Sequence, residues 1–319
     1  MTAVTAPARE RSFDWRTFFQ RYGLLLSFAL LCLGLTLASD RFLTADNLLN
    51  VLRQSTINGI ISVGMMLVIL TRGIDLSVGS MLALATVMAA DVLQQGWPPL
   101  PALLFCLVVG GLLGLVNGLV VSWVRIPPFI ATLGMMTFAR GLALLYTGGQ
   151  PITGLDDGFR QIGTGSVGPI PMPILVAGAV FLGGYVLLEH TPLGRHIFAL
   201  GDNERTARLT GLPTRRLTTF VYVAAGALSA LAGAILIARL NSAQPTAGES
   251  FEFDAIAAVV VGGTSFEGGE GTLLGTLIGV LIIAVLNNGL NLLDVPADYQ
   301  GVVKGVVIAL ALLLHRAIR

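Results

Sequence analysis

An all-α fold is predicted, a polytopic membrane bundle of about ten transmembrane helices with broken or re-entrant segments, and three observations predict it. Of 319 residues, 54% are apolar and only 12% charged, with a mean hydropathy of +0.81. A soluble domain normally carries about a quarter charged residues. Apolar runs of membrane length recur along the whole chain, divided by short polar connectors, and a helix needs ~20 such residues to cross the hydrocarbon. The basic residues fall in alternate connectors. The net charge of +1 gives no reason to expect a nucleic-acid partner.

Taken in order, the runs lie near residues 24–38, 56–70, 76–93, 101–122, 129–147, 172–188, 217–238, 254–263 continuing brokenly, 273–292 and 300–314. Thr36-Leu37-Ala38 after the first run resembles a signal-peptidase site. The charged leader is long for a signal peptide and further spans follow, so a retained first helix is expected. Residues 1–22 then form a cytoplasmic N-terminal segment, and 23–315 a single transmembrane domain. Cys32 and Cys106 sit inside apolar runs and read as packing residues.

With the N-terminus inside, Arg9, Arg11, Arg16, Arg21, Arg125, Arg195, Arg205, Arg208, Arg215, Arg216, Arg316 and Arg319 are cytoplasmic. Outside connectors hold only Arg41, Arg53, Arg160 and Arg239, which fits the positive-inside tendency with both termini cytoplasmic. Glycines recur every fourth residue at Gly110, Gly114 and Gly118, and at Gly271, Gly275 and Gly279. That spacing lets helix backbones approach closely in lipid, within the bundle or at a subunit interface.

Polar residues at membrane depth carry the functional expectations. The segment Thr71 to Ser80 places Arg72 and Asp75 between two apolar runs, where a lone charge costs several kcal/mol. Three residues apart, they suit a mutual ion pair, with Ser77 and Ser80 capping the next helix. A second glycine-rich break, Thr264 to Thr272, forms a weak internal repeat with the first. Each break is either a structural joint between half-helices or a contact for a passing solute. Asn287 and Asn291 share one helix face with Asn288 beside them. Such amides bond neighbouring helices or line a polar path, and Asn58, Asn117, Asn241, Gln244 and Asp254 share that ambiguity. Asn58 and Asn117 are the better path candidates, since they lie within or beside spans.

In the longest inside connector, Leu200 to Pro213 reads as a short helix. Asp202 is its expected N-cap, Glu204 lies in its first turn, Gly211 takes the C′ position and Pro213 blocks continuation. About eight residues make no stable helix alone. It therefore needs a partner, a protein groove or the headgroup layer, and Arg205 and Arg208 beside Ala207 and Leu209 suit a groove. Lys304 in the last run is expected to snorkel or pair, and His190, His196 and His315 show no metal-ligand spacing. No Gly-rich phosphate loop ending in Lys-Ser or Lys-Thr occurs, so ATP hydrolysis is not assigned to this chain.

Gly73-Ile74-Asp75-Leu76-Ser77-Val78-Gly79-Ser80, Asn241-Ser242-Ala243-Gln244-Pro245-Thr246-Ala247-Gly248 and Asp254 through Ser265 resemble the permease subunits of bacterial ribose-type sugar importers. Gly275-Thr276-Leu277-Ile278-Gly279 and Leu286-Asn287-Asn288-Gly289-Leu290-Asn291 match in the same order, so the resemblance covers residues 20 to 314. It implies a multi-pass protein of the bacterial inner membrane, a second permease copy in a homodimer, and a periplasmic sugar-binding protein. It also implies a cytoplasmic ATP-binding cassette subunit, which binds the ATP and Mg; no cofactor is expected in this chain. The family's coupling helix falls on residues 202–211, with Asp202, Asn203, Glu204, Arg205, Arg208 and Leu209 meeting the ATPase. The family's translocation route is implied near the Gly73 to Ser80 break and the Asn287 to Asn291 face, so that with the two span asparagines the expected path residues are Asn58, Asp75, Ser77, Asn117, Asn287, Asn288 and Asn291. Glu267 and Glu270 depart from the family pattern.

Ribose is the expected sugar. A passive path with alternating access follows, with no covalent chemistry in this chain. Two rivals have different signatures. An ion-driven secondary sugar transporter would place an essential carboxylate deep in a span, for which Asp75 and Asp91 are the candidates. A membrane enzyme would need a nucleophile and base, or a metal cluster, at depth.

Overall fold

The computed structural model describes residues 15–296, 299–303 and 305–306. In chain order its elements are α1 (Trp15–Ala38), α2 (Ala45–Leu70), α3 (Val78–Gln94), α4 (Pro99–Leu119), α5 (Pro128–Thr147), β1 (Ile152–Thr153), α6 (Asp157–Thr164), β2 (Ser166–Val167), β3 (Ile170–Pro171), α7 (Met172–His190), α8 (Pro192–Asp202), α9 (Glu204–Leu209), α10 (Thr214–Leu240), β4 (Ser242–Ala243), α11 (Phe251–Val261) and α12 (Leu273–Leu292). Among the described residues six helices are long and apolar enough to cross a membrane: α2, α4 with its π-helical extension Val120–Val124, α5, α7, α10 and α12. Gly23–Ala38 of α1 and α3 are shorter apolar helices. At ~1.5 Å per residue α11 reaches only about half-way across the hydrocarbon, consistent with the break expected after residue 254. Residues 299–303 and 305–306 are helical, but most of the expected last span, with Lys304 and His315, lies outside the described residues. So does most of the N-terminal segment 1–22.

Burial separates inner from outer helices sharply. The apolar window of α2 is 78% buried and that of α10 67%, against 22% for α5 and 17% for α7. The centre is therefore α2, α3 and α10, with α4, α11 and α12 packed on it and α5 and α7 presenting apolar surface outward, as a lipid-facing ring must. The first glycine ladder explains how α10 is held. A Cβ on Gly110 would fall 2.4 Å from Gly226 O, and one on Gly114 2.2 Å from Tyr222 O. Between α11 and α12 the second ladder acts likewise, with Gly279 facing Ala258 O. Both ladders pack within the chain.

The connectors sort into two ends. At one, Gly269 N donates to Leu70 O at 3.0 Å and Arg72 reaches the end of α8, so the turns after α2, α8 and α11 meet. At the other, β1 pairs antiparallel with β4, Gln94 Nε2 donates to Thr153 O at 2.9 Å, and Leu155 N donates to Asn241 Oδ1 at 2.9 Å. Connectors expected on the same side of the membrane are thus the ones in contact. The small ribbon β2–β3, the helix α6, capped by Asp156 at Phe159 N, and the strand β1, which pairs with β4 after α10, were not anticipated in the long connector after α5.

Candidate functional site

Polar side chains gather in three places, and the first is the break between α2 and α3. Helix α2 stops at Leu70, Thr71 N bonds Val68 O, and Arg72 takes a positive φ of 63°. That left-handed turn sends Arg72 away from Asp75. Its Nε donates to Gly201 O and its Nη2 to Asp202 O, both at 2.6 Å, placing a cation on the unsatisfied carbonyls that end α8. The expected Arg72–Asp75 ion pair is therefore replaced by two separate attachments. Gly201 admits this crossing only because it lacks a side chain: a Cβ there would sit 1.8 Å from Leu70 O and 2.4 Å from Gly269 N.

Asp75 turns inward and is fully buried. Its Oδ1 accepts from Ser77 N at 2.8 Å and from Ser77 Oγ, and Asn117 Nδ2 of α4 donates to Ser77 Oγ at 2.8 Å. Thr132 Oγ1 of α5 donates to Ile74 O at 3.1 Å. Ser77 stands at the start of α3 without capping it by its side chain, and Ser80 Oγ donates to Ser77 O at 2.9 Å. Asp75, Ser77 and Asn117 are thus one network that fixes a non-helical turn between helices at depth, where backbone and polar groups have no solvent to bond. Asp75 Oδ2 and the Tyr222 hydroxyl are buried without a hydrogen-bond partner among the described residues.

The second gathering joins α2, α11 and α12. Asn58 Nδ2 and Asn287 Nδ2 both point at Asp254 Oδ2, at 3.4 and 3.5 Å. Sequence reasoning named Asn58 and Asn287 and left Asp254 among the ambiguous residues. A separation of 196 positions leaves no local signal for such a pairing. The neighbouring amides are committed elsewhere. Asn288 and Asn47 exchange two hydrogen bonds, at 2.8 and 3.0 Å, and Asn291 is exposed and accepts from Gln300 Nε2 at 2.9 Å. The shared face of Asn287 and Asn291 therefore does not act as one surface.

The third is the short helix. Asn203, not Asp202, is its N-cap, accepting from Thr206 N at 3.0 Å, while Asp202 ends α8. The helix runs for six residues rather than about eight. Gly211 has φ 84°, and Leu212 N donates to Ala207 O at 3.1 Å, closing the C-terminus as expected. Glu204 and Arg208 pair at 2.5 Å across one turn, Arg205 is exposed, Ala207 is buried, and Leu209 is 80% exposed. The buried Ala207 fastens the helix to the body while its other residues face out. Beside it lies a cavity of about 470 Å³ lined by Arg72, Arg125, Glu204, Arg208 and Arg215 among others. Among the described residues no group of His, Cys, Asp and Glu could hold a metal ion.

The family described as "Branched-chain amino acid transport system / permease component" matches residues 47–312. The chain is 51% identical over 299 residues to the ribose import permease protein RbsC of Bacillus subtilis, covering 93% of each. It is 46% identical over 318 residues to RbsC of Escherichia coli K12, covering 98% of each, and 38% identical over 320 residues to the D-allose transport system permease protein AlsC of that strain, covering 99% of this chain and 98% of the relative. No solved structure matches the chain.

Proposed function

The chain belongs to this family of transport-system permease components, and from that premise we propose that it is the transmembrane subunit of an ATP-driven importer that conducts ribose. One observation carries the reading above the others: nearly the whole length of the chain aligns, at about half identity, with permeases named for ribose import. Nothing favours the ion-driven alternative.

In this reading two copies form a homodimer in the bacterial inner membrane, each with about ten spans and both termini cytoplasmic. A periplasmic binding protein delivers the sugar, and a cytoplasmic ATP-binding cassette subunit holds ATP and Mg. The end where the turns after α2, α8 and α11 meet is the cytoplasmic one, a sidedness supported by Arg125, Arg195, Arg205, Arg208, Arg215 and Arg216. Helix α9 is the coupling helix. Asp202 and Asn203 set its start, and Glu204, Arg205, Arg208 and Leu209 meet the ATPase, a role supported by their exposure.

ATP closes the ATPase pair, α9 moves with it, and α8 carries the motion through Arg72 to the break at Gly73 to Ser77. The sugar passes between that break, held in shape by Asp75, Ser77 and Asn117, and the region of Asn58, Asn287, Asn288 and Asn291. The permease does no covalent chemistry. The path binds sugar weakly, because a tight site at the midplane would slow release.

The test is uptake of labelled ribose into vesicles carrying this chain with its ATPase and binding protein, with and without Glu204→Lys. Uptake that needs the ATPase and is lost in Glu204→Lys, with weakened assembly, is the expected result. Uptake that persists without the ATPase would overturn the reading.

A further inference from the structure

We propose that Asp254, with Asn58 and Asn287, is the polyol-binding station of the path, the place where ring hydroxyls are received; this rests on the importer reading above. Helix α2 and the distant consecutive pair α11 and α12 bring one carboxylate and two carboxamides to one point in the bundle interior. Asp254 is 5% exposed, and Asn58 and Asn287 are half-buried. From Leu70, at the cytoplasmic end, Asn58 lies ~18 Å along α2, which places the group past the bilayer centre.

The geometry separates this group from the structural amides around it. Well-made N–H···O hydrogen bonds run to about 2.7–3.2 Å. Here both amide donors stand off at 3.4 and 3.5 Å, whereas Asn117 to Ser77 and Asn288 to Asn47 close to 2.8 Å. The Oδ1 atoms of Asn58 and Asn287 are also buried without a hydrogen-bond partner among the described residues. The amides are thus under-used on both sides, as donors and as acceptors. Unmade hydrogen bonds of buried groups cost free energy, and a ligand that completes them recovers it.

A hydroxyl group answers that need, because it donates one hydrogen bond and accepts two. Seated between Asp254 and an asparagine, it donates to the carboxylate and accepts from the amide N–H, and a second hydroxyl on the same ring donates to an amide oxygen. Phe181 of α7 supplies an apolar wall nearby: its ring lies against Gly59, the residue next to Asn58, and packs on the cluster of Ala257, Ala258, Val280 and Ile283 of α11 and α12.

The bound sugar can also be released by movement of a single element. Helix α11 is a short segment between positive-φ positions, Gly248 and Ser250 before it and Gly263 after it. A short helix bounded by such joints, and packed on α12 by the glycine ladder, can move with α12 relative to α2 and withdraw Asp254 from Asn58.

The experiment is saturation-transfer NMR with D-ribose and 2-deoxyribose on the permease and its ATPase, assembled in lipid nanodiscs, together with ribose uptake by the full complex. Wild type is expected to bind ribose in the millimolar range. Asp254→Asn, Asn58→Ser and Asn287→Ser should each weaken binding about tenfold and narrow the preference for ribose over 2-deoxyribose, because a site built for hydroxyls loses discrimination when its partners change. Thr137→Ala, on the exposed face of α5 and away from the group, should leave affinity and preference unchanged. ATP hydrolysis should stay within about twofold of wild type in the three station variants, since none touches the coupling helix.

Should Asp254→Asn fail to assemble, the two asparagine variants decide alone. Unchanged affinity and preference in the assembled variants, with wild-type uptake intact, overturns the station and leaves the importer reading standing. A sodium requirement for wild-type uptake that disappears in Asp254→Asn reassigns the group to a cation and also overturns it. A wild-type complex that neither binds nor imports ribose removes the importer reading and the station together.

Discussion

Asp75 and Asp254 are both carboxylates buried in a membrane bundle, and both are approached by asparagines, yet the protein treats them oppositely. Asp75 is bonded by a residue two positions along its own turn, and Asn117 completes that network with a 2.8 Å bond to Ser77. Asp254 receives the side-chain amides of two other helices, at 3.4 and 3.5 Å. A short-range network fixes a turn whatever the helices around it do. A long-range, loosely closed one depends on where three helices stand, and so can report or change that arrangement. A buried carboxylate holds a shape at Asp75, and on the reading proposed above receives a solute at Asp254.

Substitutions can break or sharpen this contrast. The largest effect on stability is expected from Asp75→Ala, which leaves the amide and hydroxyl of Ser77 buried without their acceptor, a loss of about 2–5 kcal/mol. Thermal unfolding of the purified chain should show a marked drop, and ATP-dependent uptake should disappear with it. Next comes Asn117→Ala, which removes one bond of the same network at about 1–3 kcal/mol and should lower the unfolding temperature less. Asn288→Ala, which undoes the paired amides with Asn47, should cost about 1–2 kcal/mol with transport partly retained. Asp254→Asn keeps the shape and one acceptor oxygen for the two amides, so its stability should change by less than about 1 kcal/mol while transport suffers. If Asp254→Asn proved as destabilising as Asp75→Ala, the contrast would collapse and both carboxylates would be structural. Glu204→Lys should be smallest, since exposed ion pairs contribute about 0–1 kcal/mol, and its consequence should be read in uptake rather than unfolding.

The sequence made the large features legible because lipid imposes them directly. Hydrocarbon thickness shows as apolar run length, backbone approach as the four-residue glycine spacing, and the stop of α9 as Gly211 and Pro213. The finer assignments failed where the answer depended on chain segments far apart. Asp202 looked like an N-cap until α8 was seen to continue through it, passing the cap to Asn203. Arg72 and Asp75 looked like a pair because only local neighbours are visible in a sequence. The true partner of Arg72 is the carbonyl end of a helix about 130 residues downstream. Asp254 was one of several ambiguous polar residues, since nothing in periodicity joins residues 58, 254 and 287.

The central claim is that hydrolysis of ATP by a partner drives sugar through this chain, and the most direct measurement is ribose accumulation in vesicles of the full complex loaded with ATP, with a proton ionophore present and with the ATPase intact or inactivated. Accumulation that survives the ionophore and vanishes with the inactive ATPase is predicted; accumulation that vanishes with the ionophore and survives the inactive ATPase would contradict the account.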